Sequence, residues 1–397
     1  MTDPVVLLSN RAPAGATYDF GPSHPLQPIR VQLMFDLMRV CGLLEAPGVT
    51  VVDPRAATRD ELTAVHNPAY VDAVQQLGAS ERSSREHARL AAQFGFHSSD
   101  NPVFPGMHQA AALVAGSTVV AAHAVMEGRA RHAFVPTGGL HHAHARRAAG
   151  FCIYNDPAVA IAAVRARNGA RIAYVDVDAH HGDGVQEIFY HDPNVLTISI
   201  HESGRYLFPG TGFIQELGED AGYGYSINVP LEPYAGDAAL LRVVDEVVVP
   251  LVRAYNPDLL VTQCGCDSHW RDPLTHLAAT TAIWPVLAET FHALAHEVCE
   301  GRWLATGGGG YDLYSVVPRA WTLLFAGMIG ADLPEALPPA FLELRGRYTT
   351  ESLATTFLDS DDAPIRADDA EAALHAAIET ISTVRGLPLP FLSPHES

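Results

Sequence analysis

The sequence predicts an α/β fold: a mostly parallel sheet with helices on its faces. Two patterns predict it. Short β-branched runs, apolar throughout, alternate with longer stretches of helical periodicity, and strands buried on both faces belong to parallel sheets. The residues of strongest chemical character also fall just after those runs, where open α/β sheets place ligand sites.

Taken in order, residues 31–44 space apolar side chains as a helix does, and residues 59–77 do so more weakly. Pro105 and Gly106 precede an Ala/Val-rich run, 107–126, which reads as a buried helix. Residues 133–136 are a short apolar run. Residues 157–167 predict a helix with Asp156 as its N-cap and Pro157 in its first position. Residues 171–177, 195–200 and 259–263 read as buried strands, and 303–306 as a weaker one stopped by four glycines. Past residue 333 the chain turns proline-rich, carries an acidic helix over 367–383, and ends in a tail expected to be mobile. No linker or repeat divides it. The expected organisation is one domain over 1–345 with a C-terminal extension over 346–397.

Composition narrows the class. A chain of 397 residues, 48% hydrophobic and 18% charged, fills a core easily. A net charge of -20 argues against a nucleic-acid binder, which needs a basic face. It favours solubility, and secondarily the steering of a cationic substrate. Five scattered cysteines without a Cys-x-x-Cys pair suggest a reduced, cytoplasmic protein. The first ten residues lack the basic start of a signal peptide, and no apolar stretch is expected to span a bilayer.

The most informative stretch is 176–184, Asp-Val-Asp-Ala-His-His-Gly-Asp-Gly, at the end of an apolar strand. Period-two geometry would put Asp176, Asp178 and His180 on one face if the strand continued. Carboxylates desolvated together need a cation. Asp267, at the end of another strand, joins them, and a divalent metal with oxygen and nitrogen ligands answers the arrangement. A surface turn rich in Asp, Gly and His explains one such cluster, but not two.

His141 and His142 follow Gly138 and Gly139, which permit a tight turn into a pocket. A histidine near activated water can take its proton and later give one to a leaving amine. Asp176 and Asp183 are available behind the two rings. Gly307 to Gly310 lack the Gly-Lys-Ser/Thr ending of a phosphate loop. They let the backbone pass close to a site and carry in Tyr311, whose phenol could donate to a developing oxyanion.

These residues resemble the zinc-dependent class I/II histone deacetylases, and among them the bacterial acetoin-utilisation (AcuC-like) type. The resemblance runs from about Tyr18 to Trp321. It rests on Ser23-His24-Pro25 with Arg30, Asp100 to Phe104, Gly138 to His142, Gly150-Phe151-Cys152 with Asn155 and Asp156, Asp176 to Gly184, Phe208 to Gly212, and Gly307 to Tyr311. It implies the arginase–deacetylase fold, with 1–345 as catalytic domain. Asp178, His180 and Asp267 would hold one Zn²⁺, with Fe²⁺ compatible with the same ligands. His142 backed by Asp183 would be general base and then acid; His141 backed by Asp176 would assist electrostatically; Tyr311 would polarise the carbonyl. Phe151 and Phe208, with Gly150 and Leu274 beside them, would line a tunnel for an alkyl-ammonium stem, and Asp100 would hold substrate amides at its rim. Structural K⁺ would lie near Asp176, Asp178, His180, Ser199 and Ile200, and a second near Phe189, Asp192, Val195 and Tyr225.

The implied substrate is an acetylated protein, an acyl-CoA synthetase being one family-level expectation. The wording around Asn101, Pro105, residues 203–207 and His269-Trp270 departs from the eukaryotic pattern and leaves substrate identity open. An acetylpolyamine amidohydrolase is the alternative. A ureohydrolase needs two Mn²⁺ and an aspartate where Gly182 stands. A non-catalytic acyl-lysine binder would not need every catalytic position filled.

Overall fold

A computed structural model describes residues 3–13, 15–79, 84–359 and 363–392. Among them, eight strands form one sheet: β1 (Val5–Leu8), β2 (Val49–Val52), β3 (His132–Val135), β4 (Ile172–Asp176), β5 (Val195–Glu202), β6 (Ser226–Leu231), β7 (Leu259–Gln263) and β8 (Trp303–Thr306). Their order is β2-β1-β3-β8-β7-β4-β5-β6, and every neighbouring pair is parallel.

Alternation along the strands fills two core layers. Val5, Leu7, Ala173 and Val175 face one layer, with helices Ile29–Val40, Ile283–Cys299 and Val316–Ile329. Val6, Leu8, Ile172 and Tyr174 face the other, with helices Pro68–Ala79, Met107–Met126 and Asp156–Asn168. Met107–Met126 is, contrary to expectation, long and apolar enough to cross a bilayer by length and composition. In the fold most of that stretch is buried. All five cysteines are free.

Several boundaries move. The first helix ends at Val40, because Gly42 turns left-handed (φ 72°) before a short 3₁₀ turn, Leu43–Glu45. The stretch 59–77 splits into Arg59–Thr63 and Pro68–Ala79, since Pro68 cannot donate within a continuing helix. Asn155, not Asp156, caps the helix it precedes, accepting from the Ala158 N–H at 3.0 Å. The Asp156 carboxylate is taken by Thr118 Oγ1 and the Gly139 and Leu140 N–H groups.

The segment after residue 345 is tied to the rest. Helix Ala367–Arg385 lies against β6 and helix Asp237–Val243, burying Ala373, Ala377, Ile381 and Val384. Asp359 accepts from buried Arg319 (2.9 Å), His269 Nε2 (2.8 Å) and the Thr281 N–H (2.8 Å). The tail expected to be mobile includes residues 393–397, which lie outside the described residues.

Candidate active site and metal centre

Four adjacent strands at the centre of the sheet, β3-β8-β7-β4, deliver the candidate residues. Their carboxyl ends and the loops that follow carry His141 and His142, Gly307 to Tyr311, Asp267, and Asp176 to Asp183. From β4 the chain moves outward to β5; from β7, its neighbour, it moves the other way to β8. Such a reversal opens a crevice between adjacent strand ends. Asp178 and His180 follow one of these strands and Asp267 the other.

Asp178, His180 and Asp267 converge, each buried, with one donor atom of each within 4.8 Å of the others. His180 Nδ1 lies 2.8 Å from Asp267 Oδ2 and 3.2 Å from Asp178 Oδ1. Other donors aim the carboxylates: Gln263 Nε2 and the Gly309 N–H both donate to Asp178 Oδ2 at 2.7 Å, and the Ala179 N–H donates to Asp267 Oδ1 at 2.8 Å. Gly309 must be glycine here, because a Cβ would stand 2.0 Å from Asp267 Oδ2. Burial and then the Asp178 charge push the Asp267 pKa up, so the two anions resist sharing the site without a cation. The donor set fits a divalent ion.

Beside this centre, His141 Nδ1 donates to Asp176 Oδ2 and His142 Nδ1 to Asp183 Oδ1, each at 2.7 Å. A carboxylate can only accept, so each Nδ1 carries a proton and each Nε2 faces the site. The two Nε2 atoms are 3.0 Å apart. Burial opposes charge on both rings. Asp176 and Asp178 overcome it at His141, raising its pKa to about 9; at His142, burial and the His141 charge lower it to about 3. The Tyr311 ring stands edge-on to His180 at 6.5 Å. Its phenol is held well above its usual range by burial, then by Asp267 and Asp178, and remains a donor.

A histone deacetylase domain matches residues 24–328. The chain belongs to the histone deacetylase family. It is 43% identical over 362 residues to the acetoin utilization protein AcuC of Bacillus subtilis, covering 91% of each chain. With the Staphylococcus aureus AcuC it shares 38% over 343 residues, 86% of this chain and 87% of that one. The crystal structure of an HDAC homologue complexed with SAHA superimposes with a TM-score of 0.80 at 29% identity, covering 94% of this chain and 99% of that one. An HDAC homologue from Aquifex aeolicus does so equally, at 30% identity. The deacetylase fold and amide-hydrolase activity of an AcuC-like family member follow.

In this deacetylase the expected tunnel aromatics flank the centre. The Phe208 ring packs edge-on against His142 at 5.0 Å, and Phe151 against Tyr311 at 5.7 Å. Gly150 leaves no room for a side chain: a Cβ would lie 2.3 Å from His142 Cδ2 and 2.9 Å from the Phe208 ring. Asp100 is exposed, and its carbonyl meets His24 Nε2 at 3.2 Å; the His24 ring packs on Phe151 at 4.5 Å. Leu274 is half-buried, its N–H donating to Asp272 at 2.9 Å. Ser199 pairs with Asp176 across β4 and β5, with Ile200 next to it. Phe189, Asp192 and Val195 share a turn, held by Asp192 N–H to Phe189 O and Val195 N–H to Asp192 O; Tyr225 joins β5 through its carbonyl to the Thr197 N–H.

The strand does not continue past Asp176, so Asp176 does not share a metal-facing side with Asp178 and His180. It instead binds His141, accepts from Tyr174 Oη at 2.7 Å, and receives the Asp178 N–H. Sequence reasoning missed Tyr174 and Gln263, which look like ordinary strand residues. It also missed Asp272, which accepts the Tyr311 N–H at 2.8 Å, and His144. His144 touches Asp183 Oδ2 at 3.2 Å and Glu187 at 2.5 Å, extending the chain of charges behind His142. Arg30, noted only as a motif residue, donates to Gly310 O at 2.9 Å and fixes the turn that carries Tyr311.

Proposed function

We propose that this deacetylase hydrolyses Nε-acetyl-lysine amides in proteins, with Zn²⁺ held by Asp178, His180 and Asp267. The observation that carries the reading is the convergence of two carboxylates and an imidazole beside two carboxylate-backed histidines. When bound there, a divalent ion supplies Lewis acidity and water that ionises near neutral pH. His142 takes the proton of the attacking water at Nε2 while its Nδ1–H stays on Asp183, and then passes it to the leaving amine. His141, charged against Asp176, steadies the developing negative charge. Tyr311 donates to the carbonyl oxygen. Phe151, Phe208 and Leu274 flank the lysine stem, Gly150 gives it room, and Asp100 holds backbone amides at the rim.

The two K⁺ sites belong to the same reading, around Asp176, Asp178, His180, Ser199 and Ile200 and around Phe189, Asp192, Val195 and Tyr225. Free cysteines support a cytoplasmic setting. Metal analysis of the purified protein separates Zn²⁺ from Fe²⁺. Gly182 speaks against a two-metal ureohydrolase, since a side chain there would meet Asp176 Oδ2 at 2.4 Å.

A net charge of -20 favours one alternative substrate, an acetylated polyamine. Parallel assays on an acetyl-lysine peptide, an acetylated acyl-CoA synthetase and acetylspermidine test the proposal. Turnover of acetylspermidine alone would overturn it.

A further inference from the structure

The amino end of the sheet, opposite the active site, carries a second histidine cluster. His132 opens β3, and His292 and His296 lie one turn apart on helix Ile283–Cys299, which leads into β8 beside β3. Asp3 precedes β1, whose Val5 pairs with His132. One donor atom from each of the four lies within 4.8 Å of the others. Asp3 Oδ2 is 3.0 Å from His296 Nε2 and 3.8 Å from His132 Nε2. The His292 ring centroid is 4.7 Å from those of both His132 and His296.

The plainest explanation is a core histidine beside a surface ion pair. His132 does not suit it. The residue is wholly buried, and neither ring nitrogen makes a well-formed hydrogen bond among the described residues; nor does Nδ1 of His292. Buried polar atoms are rarely left so. Three imidazoles packed at tilted and edge-on angles, without hydrogen bonds between them, gain little from one another, but each offers a lone pair.

We propose that Asp3, His132, His292 and His296 form a second metal site, for a borderline divalent transition ion of the Zn²⁺ class. Three imidazoles and one carboxylate favour Zn²⁺, Ni²⁺ or Cu²⁺ over Mg²⁺ and Ca²⁺. Tetrahedral Zn²⁺ with bonds of about 2.0–2.1 Å needs donors roughly 3.3 Å apart. The Asp3–His296 pair is already that close. Asp3 and His292 are half-buried and His296 is exposed, so side-chain rotation can bring in the rest while His132 stays fixed. The ion would clip the segment before β1 to β3 and to the helix. Its role is to hold the fold, because it lies a full strand length from the reacting residues.

The test uses the holoenzyme and the His292→Gln/His296→Gln variant, whose altered side chains reach the surface. Both are dialysed against buffered Zn²⁺. Metal content, thermal midpoint and acetyl-lysine turnover are then measured. Wild type is expected to hold one equivalent more than the variant, with equal turnover, and Zn²⁺ should raise the midpoint of wild type alone. Cu²⁺ loaded at the extra site should show nitrogen hyperfine splitting that the variant lacks. Equal metal content in the two proteins, or the same Zn²⁺-induced shift in both, would overturn the site. Equal midpoints in chelator exclude misfolding of the variant, and the comparison holds whatever ion the catalytic centre carries.

Discussion

His141 and His142 are neighbours in the chain with Nε2 atoms 3.0 Å apart, yet Asp176 and Asp178 raise the proton affinity of the first while burial and the first ring's charge lower that of the second. Separating two like groups in this way is how a site obtains a charged partner and a neutral base together. If Tyr311 is the carbonyl donor, Tyr311→Phe lowers kcat by about 10²–10³ with KM little changed. Steady-state kinetics on an acetyl-lysine peptide, with circular dichroism to check the fold, measures it. If His142 is the base, His142→Ala costs about 10²–10⁴. His144 gives a pH signature. Against the cost of burial, Asp183 and Glu187 raise its pKa from the ordinary 6.5 to about 9. Its stabilisation is therefore complete below the unfolded value of 6.5 and is lost as pH rises through about 9. His144→Gln should cost more at roughly pH 6 than at roughly pH 10, read by denaturant melts. A cost independent of pH would contradict the pairing.

At the scale of elements, the site depends on loops that bring backbone against carboxylate. Gly309→Ala would push a methyl into Asp267 and displace a ligand, so metal occupancy should fall sharply while the sheet persists. Metal analysis beside far-ultraviolet dichroism checks this. The loops were legible in the sequence because their chemistry is dense: Asp178 and His180 sit two residues apart, and the glycine run stops β8. The buried central strands β4, β5 and β7 were legible as continuous apolar runs. The edge strands β2 and β6 were not. β2 is partly exposed, and β6 contains Asn228 and Pro230, so neither shows a clean apolar run. Gln263 and Tyr174 escaped notice because their roles arise from pairings across the fold. Gln263 meets Asp178 over 85 residues of chain, and nothing local marks it. The N-cap moved for a similar reason: Asp156 is claimed by Thr118, 38 residues away.

For the whole molecule, the C-terminal segment and the catalytic region share a buried ion pair. Arg319 is fully buried and its charge is met by Asp359, which also receives His269. Asp359→Ala leaves that guanidinium uncompensated and should cost about 3–5 kcal/mol, read as a lower denaturant midpoint. A loss under about 1 kcal/mol would mean that the pair is solvated. The proposed ion at Asp178, His180 and Asp267 is tested by turnover of an acetyl-lysine peptide before chelation, after it, and after Zn²⁺ is returned. Activity should disappear on chelation and return with Zn²⁺ in wild type, but not in Asp267→Ala. Undiminished turnover after complete removal of divalent metal would contradict it.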